Sequence, residues 1–210
     1  MRHIIARHRA EIRDLCLKDK LDLATKLIRS GYGEQKSVAL HVLEPISSCF
    51  MPDRFDVLDG LIRGLQGWSK IDSFTGSLLR DVLERHPKEL VKLVRQWNSD
   101  PDLWMRRASV VLFTRKVALS GKYNDVALEH CENLKHDAED LVLKGVGWSL
   151  KDLMRSEKKR ILEYVISLRA QGVSSVVTLY ALRDIEGDER ARIVGRRWLF
   201  GSSRTRFKTL

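Results

Sequence analysis

Arg107-Ala-Ser-Val-Val111 is the segment of this chain that indicates its fold, because segments of similar texture recur at nearly constant spacing. Each begins with a charged residue and continues with small or apolar residues. The leading residues are separated by 36, 35 and 37 positions and are Lys36, Asp72, Arg107 and Lys144. This period is typical of two-helix solenoid units, in which each unit buries its apolar face only against its neighbours. The sequence therefore predicts an all-α fold, an α-solenoid of antiparallel helix pairs.

The remaining sequence also favours helices. No segment alternates apolar and polar residues with the period of two that is typical of strands. Prolines and glycines separate the segments that have helical periodicity. Pro87 and Pro101 mark two boundaries, since proline is tolerated in the first helical turn, and Ser156-Glu157 opens a further helix. We predict helices at residues 4–17, 20–30, 34–48, 53–66, 70–85, 88–98, 102–119, 123–134, 139–154, 157–171 and 174–185.

The predicted stack has a charged concave face. The four leading residues would line this groove, and three of them are basic. The whole chain of 210 residues carries a formal net charge of +10, so a polyanion such as a phosphate backbone is the expected partner. The small residues that follow leading positions, and would permit close helix packing, are Ser37, Ala108 and Gly145.

Length and composition predict one domain and a tail. With 43% hydrophobic residues the chain can bury a substantial core, which we assign to residues 1–187, and we assign 188–210 to a basic C-terminal tail. No acid follows Glu189, whereas seven basic residues do. This tail is either a solubilising or disordered end or an addition to the polyanion-binding surface.

The sequence indicates an intracellular protein. Cys16, Cys49 and Cys131 are few and widely separated, which argues against a disulfide framework. No apolar run of about 18 residues could span a bilayer, and the N-terminal residues lack the apolar core of a signal peptide. We expect a soluble, cytoplasmic monomer without membrane contacts, nucleoid-associated in a bacterium or archaeon.

Trp148 has an unusual position on the predicted helix 139–154. At about 100° per residue, one face of this helix is an apolar core stripe formed by Val142, Val146, Leu150 and Leu153. The opposite face carries Trp148 with Lys144, Gly147 and Lys151. Trp148 is either a surface aromatic, loose or covered by the next helix, or a contact to a sugar or base.

Two other segments carry candidate site residues. Arg106 and Arg107 lie in the middle of an apolar helix near Trp104, and a buried guanidinium there would form a structural ion pair or bind a phosphate. Trp68 precedes Ser69-x-x-Asp72, which matches a capping box. Alternatively, the helix N-terminus would keep the Asp72 carboxylate ionised for stabilising positive charge.

Other chemistries find little support in the sequence. The spacing of His130, Cys131, His136 and Asp137 fits no familiar metal site, so we predict no metal and interpret these residues as a solvated helix end. Cys131 has no activating partner. There is no Ser/His/Asp pattern and no glycine-rich phosphate loop, which argues against conventional hydrolase and kinase chemistry.

A set of motifs resembles the AlkD-type DNA alkylation repair glycosylases. They match in order and spacing over roughly residues 20–185 and are Trp68-Ser-Lys-Ile-Asp72-Ser, Arg85-His-Pro-Lys, Arg95-Gln-Trp97, Trp104-Met-Arg-Arg107-Ala-Ser and Lys144-Gly-Val-Gly-Trp148-Ser-Leu-Lys. The resemblance implies a stack of HEAT-like repeats whose concave basic groove holds duplex DNA. It also implies an enzyme that removes cationic N3- and N7-alkylpurines by hydrolysing the N-glycosidic bond, without a metal or organic cofactor.

The resemblance also assigns roles to individual positions. Asp72 falls at the catalytic carboxylate, where it would stabilise an oxocarbenium-like sugar and orient water. Trp68 and Trp148 fall at the two aromatic walls, and Arg107 falls at an arginine that contacts the DNA backbone. The further DNA contacts that we predict are Trp104, Arg106, Lys36, Lys144 and Lys151.

Two departures from the family pattern are visible. The usual acid after the tryptophan is Ser69 here, which would alter hydrogen bonding around Asp72. Only 67 residues precede Trp68, so we expect a shortened N-terminus in which the family's first helices are missing or reduced.

Two other functions fit parts of the sequence. One is a helical-repeat protein that binds damaged or branched DNA without catalysis, in which Asp72→Asn would leave every DNA-dependent activity intact. The other is a HEAT-like scaffold that accepts an acidic protein. Neither requires Asp72, Arg107, Trp68 and Trp148 together, so the glycosylase is the favoured interpretation.

Overall fold

The computed structural model describes the backbone of residues 2–195 and the side chains of residues 5–195. Within these residues the chain forms helices joined by short turns, and none of it forms a strand. The α-helices are α1 (Arg2–Asp14), α2 (Leu17–Arg29), α3 (Gly33–Leu43), α4 (Phe55–Gly64), α5 (Trp68–Phe74), α6 (Arg80–Arg85), α7 (Pro87–Trp97), α8 (Leu103–Val111), α9 (Arg115–Leu119), α10 (Asn124–Leu134), α11 (Asp140–Ala170), α12 (Ser175–Ala181) and α13 (Gly187–Gly195).

The helices stack in repeating pairs. Helices α3, α5, α8 and α11 pack side by side in this order, and α2, α7 and α10 pack against α3, α8 and α11 respectively. This arrangement confirms the predicted all-α helical-repeat solenoid. It places the four leading residues of the repeat on adjacent helices, so that side chains from different repeats can meet.

Polar contacts join residues that are about one repeat apart. Arg95 donates to Glu129, 34 positions later, and Arg160 donates to Asp125, 35 positions earlier. The Trp97 indole donates to Asp59 across 38 positions. Bonds of this span connect each unit to the next, as expected where a unit buries its surface only against its neighbours.

A glycine lies at the close contact between α11 and α8. A Cβ atom at Gly145 would lie 3.1 Å from Val110 Cγ2 and 3.4 Å from Val111 Cγ2, so a larger residue would require these valine side chains to shift by a few tenths of an ångström. This contact agrees with the predicted role of the small residue. The predicted core stripe of this helix is also confirmed, since all four of its members are buried: Val142, Val146, Leu150 and Leu153.

Several predicted helices have different boundaries in the structure. The predicted helix 34–48 ends as an α-helix at Leu43 and continues as a 3-10 helix, Glu44–Cys49, since Pro45 has no N–H for the α-helical ladder. The predicted helix 70–85 begins at Trp68 and contains a π-helical turn, Thr75–Leu79, between α5 and α6. This turn changes the register of the helix beside Asp72.

Two further boundaries affect the candidate site. The predicted helix 102–119 is wrong as a single element, because the chain leaves α8 after Val111 and re-enters a helix at Arg115, whose φ is +54°. In contrast, the predicted break between helices 139–154 and 157–171 is found within α11, where Glu157 has non-helical angles (φ −138°, ψ 60°).

The predicted tail begins with a helix. Residues 187–195 form α13, in which Ile193 is buried and Arg190 donates to the carbonyl of Leu182. The remainder of the predicted tail, 196–210, lies outside the described residues. No helix between residues 2 and 195 is long and apolar enough to cross a membrane.

Candidate active site

A pocket of about 300 Å³ opens where α5, α8, α9, α11 and α12 meet. The structure brings together here the four residues that the sequence predicts to act together: Trp68, Asp72, Arg107 and Trp148. The other residues that line the pocket are Ser69, Ser73, Arg115 and Tyr180.

The start of α5 presents Trp68 to solvent. Gly67 precedes the helix with φ +91°, a backbone conformation that favours glycine, and no side chain caps the helix. Trp68 therefore begins α5 at the mouth of the pocket, 58% exposed. The capping-box interpretation of Ser69 and Asp72 is wrong, because Asp72 is directed toward α8 instead of the helix N-terminus.

Asp72 and Arg107 form a bidentate ion pair across α5 and α8. Arg107 Nε donates to Asp72 Oδ1 (3.0 Å) and Nη2 donates to Oδ2 (2.8 Å), while Nη1 donates to the carbonyl of Leu141. Both residues are buried, with exposures of 4% and 5%. Of the two interpretations of Arg107, the structure shows the ion pair, and this pair forms one wall of the pocket.

The environment of Asp72 sets the charge of the site. Burial raises the pKa of the Asp72 carboxyl above its usual range, while the hydrogen bonds from Arg107 and the nearby charge of Arg115 oppose this rise. A bidentate guanidinium stabilises the ionised form. A carboxylate also has about four lone-pair sites, and Arg107 uses two, so Asp72 retains the capacity to accept from a pocket molecule.

Arg115 is a site residue that the sequence interpretation missed. Its Nη1 donates to the backbone carbonyl of Asp72 (3.0 Å), and its Cζ lies 4.8 Å from the centre of the Trp148 ring. The guanidinium thus forms a cation–π contact with one candidate wall while it adjoins the candidate carboxylate. Tyr180 on α12 was missed as well and completes the lining near Trp148.

Trp148 is half-buried and fixed by hydrogen bonding. Its Nε1 donates to Asp152 Oδ2 (2.9 Å), one helical turn later on α11. The neighbouring Gly147 packs against α12, since a Cβ there would lie 2.8 Å from the carbonyl of Val177. The face opposite the core stripe is therefore partly covered by the next helix, and the Trp148 ring borders the pocket beside this contact.

Two predicted DNA contacts lie on α8 outside the pocket lining. Trp104 is half-buried against the core. Arg106 pairs with Asp137 through Nε (2.6 Å) and Nη2 (3.2 Å), and its Nη1 donates to the carbonyls of Asp100 and Pro101. This guanidinium already binds other groups, so a role in DNA contact stays a prediction.

The three predicted lysine contacts have different environments. Lys36 is buried on α3, whereas Lys144 is exposed on α11. Lys151 Nζ lies 2.9 Å from Asp152 Oδ1 and 3.1 Å from Asp184 Oδ2. Only Lys144 among them presents an exposed side chain, and the assignment of all three to DNA contacts stays a prediction.

Of the weaker candidates for metal or thiol chemistry, His130 and Cys131 are buried and His136 is exposed, so the interpretation as a solvated helix end is wrong for the first two. His130 Nδ1 lies 2.9 Å from the carbonyl of Ser109, and burial lowers the pKa of this histidine. Burial raises the pKa of the Cys131 thiol to about 12, which keeps it protonated and unreactive at neutral pH. Among the side chains of residues 5–195, no three His, Cys, Asp or Glu groups converge as a metal site.

Comparison with known proteins identifies the family. The sequence profile described as DNA alkylation repair enzyme matches residues 1–185. The chain belongs to this family. One solved structure, a predicted DNA alkylation repair enzyme from Enterococcus faecalis, is similar with a TM-score of 0.72 over 86% of this chain and 84% of its own. At 13% identity this likeness shows the shared fold alone. No curated protein sequence matches the chain.

Family membership confirms the predicted relationship to DNA alkylation repair enzymes. Within this member of the family, the residues that sequence reasoning placed together do line one pocket. The residues that it missed have weaker signals. Tyr180 lies 32 positions after Trp148, close to one repeat, so repeat spacing could have suggested it, whereas nothing in Phe113-Thr114-Arg115 marks the backbone turn that directs Arg115 into the site.

Proposed function

We propose that this protein is a DNA glycosylase that hydrolyses the N-glycosidic bond of cationic N3- and N7-alkylpurines in duplex DNA. The observation that carries the proposal is the position of the Asp72 carboxylate, which is buried in the wall of a pocket that Trp68 and Trp148 also line, and which is held by Arg107. Membership in a DNA alkylation repair family supports a DNA substrate.

The chemistry of the substrate suits this pocket. An alkylated purine already carries a positive charge and is a good leaving group. When the bond between C1′ and the purine nitrogen breaks, its electron pair neutralises the base and leaves positive charge on the sugar. A fixed carboxylate stabilises that charge as it develops. We assign this role to Asp72.

Hydrolysis also requires a water molecule, which Asp72 can orient through its free lone pairs. The water oxygen bonds to C1′, its proton is accepted by Asp72 and passes to solvent, and the products are the free alkylpurine and an abasic site. The raised pKa of the Asp72 carboxyl favours this proton transfer, since a more basic carboxylate is a better acceptor.

The remaining pocket residues would bind and orient the nucleotide. The indole rings of Trp68 and Trp148 offer faces that favour C–H groups and cations, so they suit the deoxyribose of the lesion. Arg107 and Arg115 add positive charge beside the carboxylate, which would attract an adjacent phosphate. The net charge of +10 supports association with duplex DNA.

A second candidate is a non-catalytic protein that binds damaged DNA. The observation that favours it is the bidentate pairing of both Asp72 oxygens with Arg107, because a buried ion pair of this geometry can serve structure alone. Under this alternative the pocket would recognise a lesion without cleaving it.

The two candidates separate in a single-turnover assay. We would measure release of 7-methylguanine and 3-methyladenine from methylated duplex DNA by the wild type, Asp72→Asn and the control Asp137→Asn. Asp137 accepts a bidentate arginine as Asp72 does, but lies outside the pocket lining. We expect Asp72→Asn to lower the rate constant about 10² to 10³-fold, the range for loss of one preorganised electrostatic contact.

The control should retain the wild-type rate constant, and both variants should still bind duplex DNA. If the wild type binds duplex DNA with strong salt dependence but releases no base, the glycosylase proposal fails and the non-catalytic candidate replaces it. Equal losses in both variants would indicate an effect on folding instead of catalysis.

A DNA substrate also bears on partners and location. We propose that the protein acts as a monomer on one duplex, without a metal or organic cofactor, in the cytoplasm or at the nucleoid of a bacterium or archaeon. Sedimentation of the protein with and without a short methylated duplex tests the stoichiometry, and a dimer on one lesion would contradict it.

A further inference from the structure

Asp152 lies behind the candidate active site and contacts two of its residues through one oxygen atom. Its Oδ2 accepts from the indole Nε1 of Trp148 (2.9 Å) and from the backbone N of Arg115 (2.7 Å). The side chain is only 2% exposed and is not part of the pocket lining. Asp152 therefore connects α11 and α9 without being placed to touch a bound nucleotide.

The other carboxylate oxygen has cationic neighbours. Lys151 Nζ lies 2.9 Å from Oδ1 and Arg155 Nη2 lies 3.5 Å from it, as ion contacts without the alignment of hydrogen bonds. A buried carboxylate needs such charges to stay ionised. An ionised Asp152 is a stronger acceptor for the two N–H groups than a neutral side chain would be.

Arg115 has a backbone conformation that needs support. Between residues 2 and 195 it is the only residue other than glycine with positive φ, +54°. This region is unfavourable for a residue with a Cβ and persists where surrounding contacts impose it. The hydrogen bond from the Arg115 N–H to Asp152 is such a contact.

The turn at Arg115 directs its side chain into the site. Nη1 reaches the carbonyl of Asp72 (3.0 Å), and the guanidinium lies over the Trp148 ring. Its path runs past Gly76 in the π-helical turn, where a Cβ would lie 2.2 Å from Nη1. A glycine on one side and a strained turn on the other thus place this cation between Asp72 and Trp148.

We propose that Asp152 is a positioning residue of this site, which holds the Trp148 ring by its indole N–H and holds the Arg115 guanidinium between Trp148 and Asp72 by its backbone N–H. The catalytic consequence rests on the proposed glycosylase function. Loss of Asp152 would leave Asp72 and Arg107 in place, but it would release the Trp148 ring and the Arg115 guanidinium from their positions.

The chain offers a matched control in Asp59. Its Oδ1 accepts from the indole Nε1 of Trp97 (2.7 Å) and its Oδ2 accepts from Arg63 Nε (2.7 Å). It repeats the carboxylate, indole and arginine combination away from the pocket. Variants at Asp59 therefore report the effect of losing such contacts on folding alone.

The first experiment compares Asp152→Ala and Asp152→Asn with Asp59→Ala and Asp59→Asn. The single-turnover rate constant for 7-methylguanine release and the dissociation constant for methylated duplex are measured with each folded variant. We expect Asp152→Ala to lower the rate constant about 10- to 100-fold, since small displacements of positioning groups have effects of this size. Asp152→Asn, which retains an acceptor, should be intermediate.

The Asp59 variants should keep the wild-type rate constant and DNA dissociation constant, because Asp59 lies away from the pocket. Asp152→Ala should lower the rate constant by a larger factor than it weakens DNA binding, because the Asp152 carboxylate itself is not placed to touch DNA. A wild-type rate constant in folded Asp152→Ala would overturn the proposal. A loss in Asp59→Ala as large as that in Asp152→Ala would overturn it as well.

A second measurement does not depend on activity. Subtracting the fluorescence emission spectrum of a Trp148→Phe variant from that of its parent isolates Trp148, and this is done in the wild-type and Asp152→Ala backgrounds. We expect the Trp148 emission to move to longer wavelength without Asp152, as the released ring gains contact with water. An unchanged difference spectrum would show that Asp152 does not hold the indole.

A wild type that releases no base would end the glycosylase proposal, but the difference spectrum would still decide the role of Asp152. Arg115→Gly tests the second contact, because glycine adopts positive φ without strain. Asp152→Ala should lower the denaturation midpoint less in the Arg115→Gly background than in the wild type. Equal reductions in both backgrounds would contradict support of the strained turn by Asp152.

Discussion

Arg106 and Arg107 are adjacent on α8, yet they have different surroundings. Each makes two hydrogen bonds to one carboxylate and at least one more to a backbone carbonyl. Arg106 joins the turn before α8 to Asp137 in the turn before α11, and its side chain is 17% exposed. Arg107 joins α8 to Asp72 on α5, with both side chains 6% exposed, beside a pocket.

The difference arises from helix geometry. Consecutive residues are rotated by about 100° around a helix axis, so neighbours with the same side chain contact different elements. The Asp72 pair lines a pocket of about 300 Å³ that a ligand can enter, and the Arg106 pair lies outside the lining of this pocket. The same ion-pair chemistry can therefore serve structure at one position and, under our proposal, both structure and catalysis at the next.

Removing each arginine should test this difference most strongly. We expect Arg107→Ala to lower the free energy of unfolding by about 3 to 5 kcal/mol, because it leaves the buried Asp72 charge without its partner. Arg106→Ala should cost less, about 1 to 3 kcal/mol, since the pair is nearer to solvent and the N–H of Glu139 still donates to Asp137. Urea denaturation measures both values. Equal losses would mean that burial does not distinguish the two pairs.

Neutralising both partners should separate stability from activity. The double variant Asp72→Asn/Arg107→Gln leaves no unpaired buried charge, so we expect it to recover about half or more of the stability lost in Arg107→Ala. Its rate constant for alkylpurine release should still be lowered at least about 10² to 10³-fold, because the carboxylate is gone. The matched double variant Asp137→Asn/Arg106→Gln should keep its rate constant for base release. A wild-type rate constant in the first double variant would contradict the role of the Asp72 charge.

The residues of the pair that borders the pocket were visible in the sequence because of the repeat. Asp72 and Arg107 are 35 positions apart, so a period of this length places them on adjacent helices. The same spacing argument does not show whether a guanidinium binds a carboxylate or a phosphate. That outcome depends on how α5 and α8 are rotated about their axes. The capping-box interpretation was wrong about this rotation, because it directed Asp72 toward the helix N-terminus instead of toward α8.

Arg115 and Asp152 could not be predicted in the same way. The break between α8 and α9 contains no glycine or proline at the residue with positive φ, so local sequence gives no signal for it. Asp152 is one acid among basic neighbours on α11, and its contact with Arg115 on α9 has no counterpart in the local sequence. Residues that position other site residues without lining the pocket are difficult to recognise from sequence patterns.

The Asp72–Arg107 pair should also confer a pH dependence on activity. Burial raises the pKa of the Asp72 carboxyl. Because the ionised carboxylate is the active form, the rate of base release should fall as pH decreases. This fall should occur at a higher pH than it would for an ordinary aspartate. Arg115→Gln should move this fall to higher pH, because the charge of Arg115 lowers the pKa of the Asp72 carboxyl and so opposes the effect of burial. Single-turnover rate constants across pH test both statements.

Stability provides the control for this pH profile. A raised pKa in the folded state means that the native protein binds the Asp72 proton more tightly than the unfolded chain. The resulting stabilisation is complete below the unfolded pKa and is lost as pH rises through the folded pKa. Protonation of Asp72 therefore does not unfold the protein, and circular dichroism should stay native while the rate falls. An acid limb unchanged by Arg115→Gln would contradict the assigned environment.

The smallest expected effect concerns DNA contacts at exposed and paired cations. Lys144 is exposed on α11, one repeat beyond Arg107, whereas the Arg106 guanidinium already donates to Asp137 and two carbonyls. If Lys144 neutralises one phosphate, Lys144→Gln should weaken duplex binding by a few-fold and reduce the slope of log affinity against log salt by about 0.9. Arg106→Gln should leave that slope unchanged, because a guanidinium held in an ion pair displaces no counterion from DNA. Fluorescence anisotropy over a series of salt concentrations measures both slopes. A reduced slope for Arg106→Gln would show that DNA competes with Asp137 for the Arg106 guanidinium. Arg106 and Arg107 would then have different carboxylate partners, but both would contact DNA.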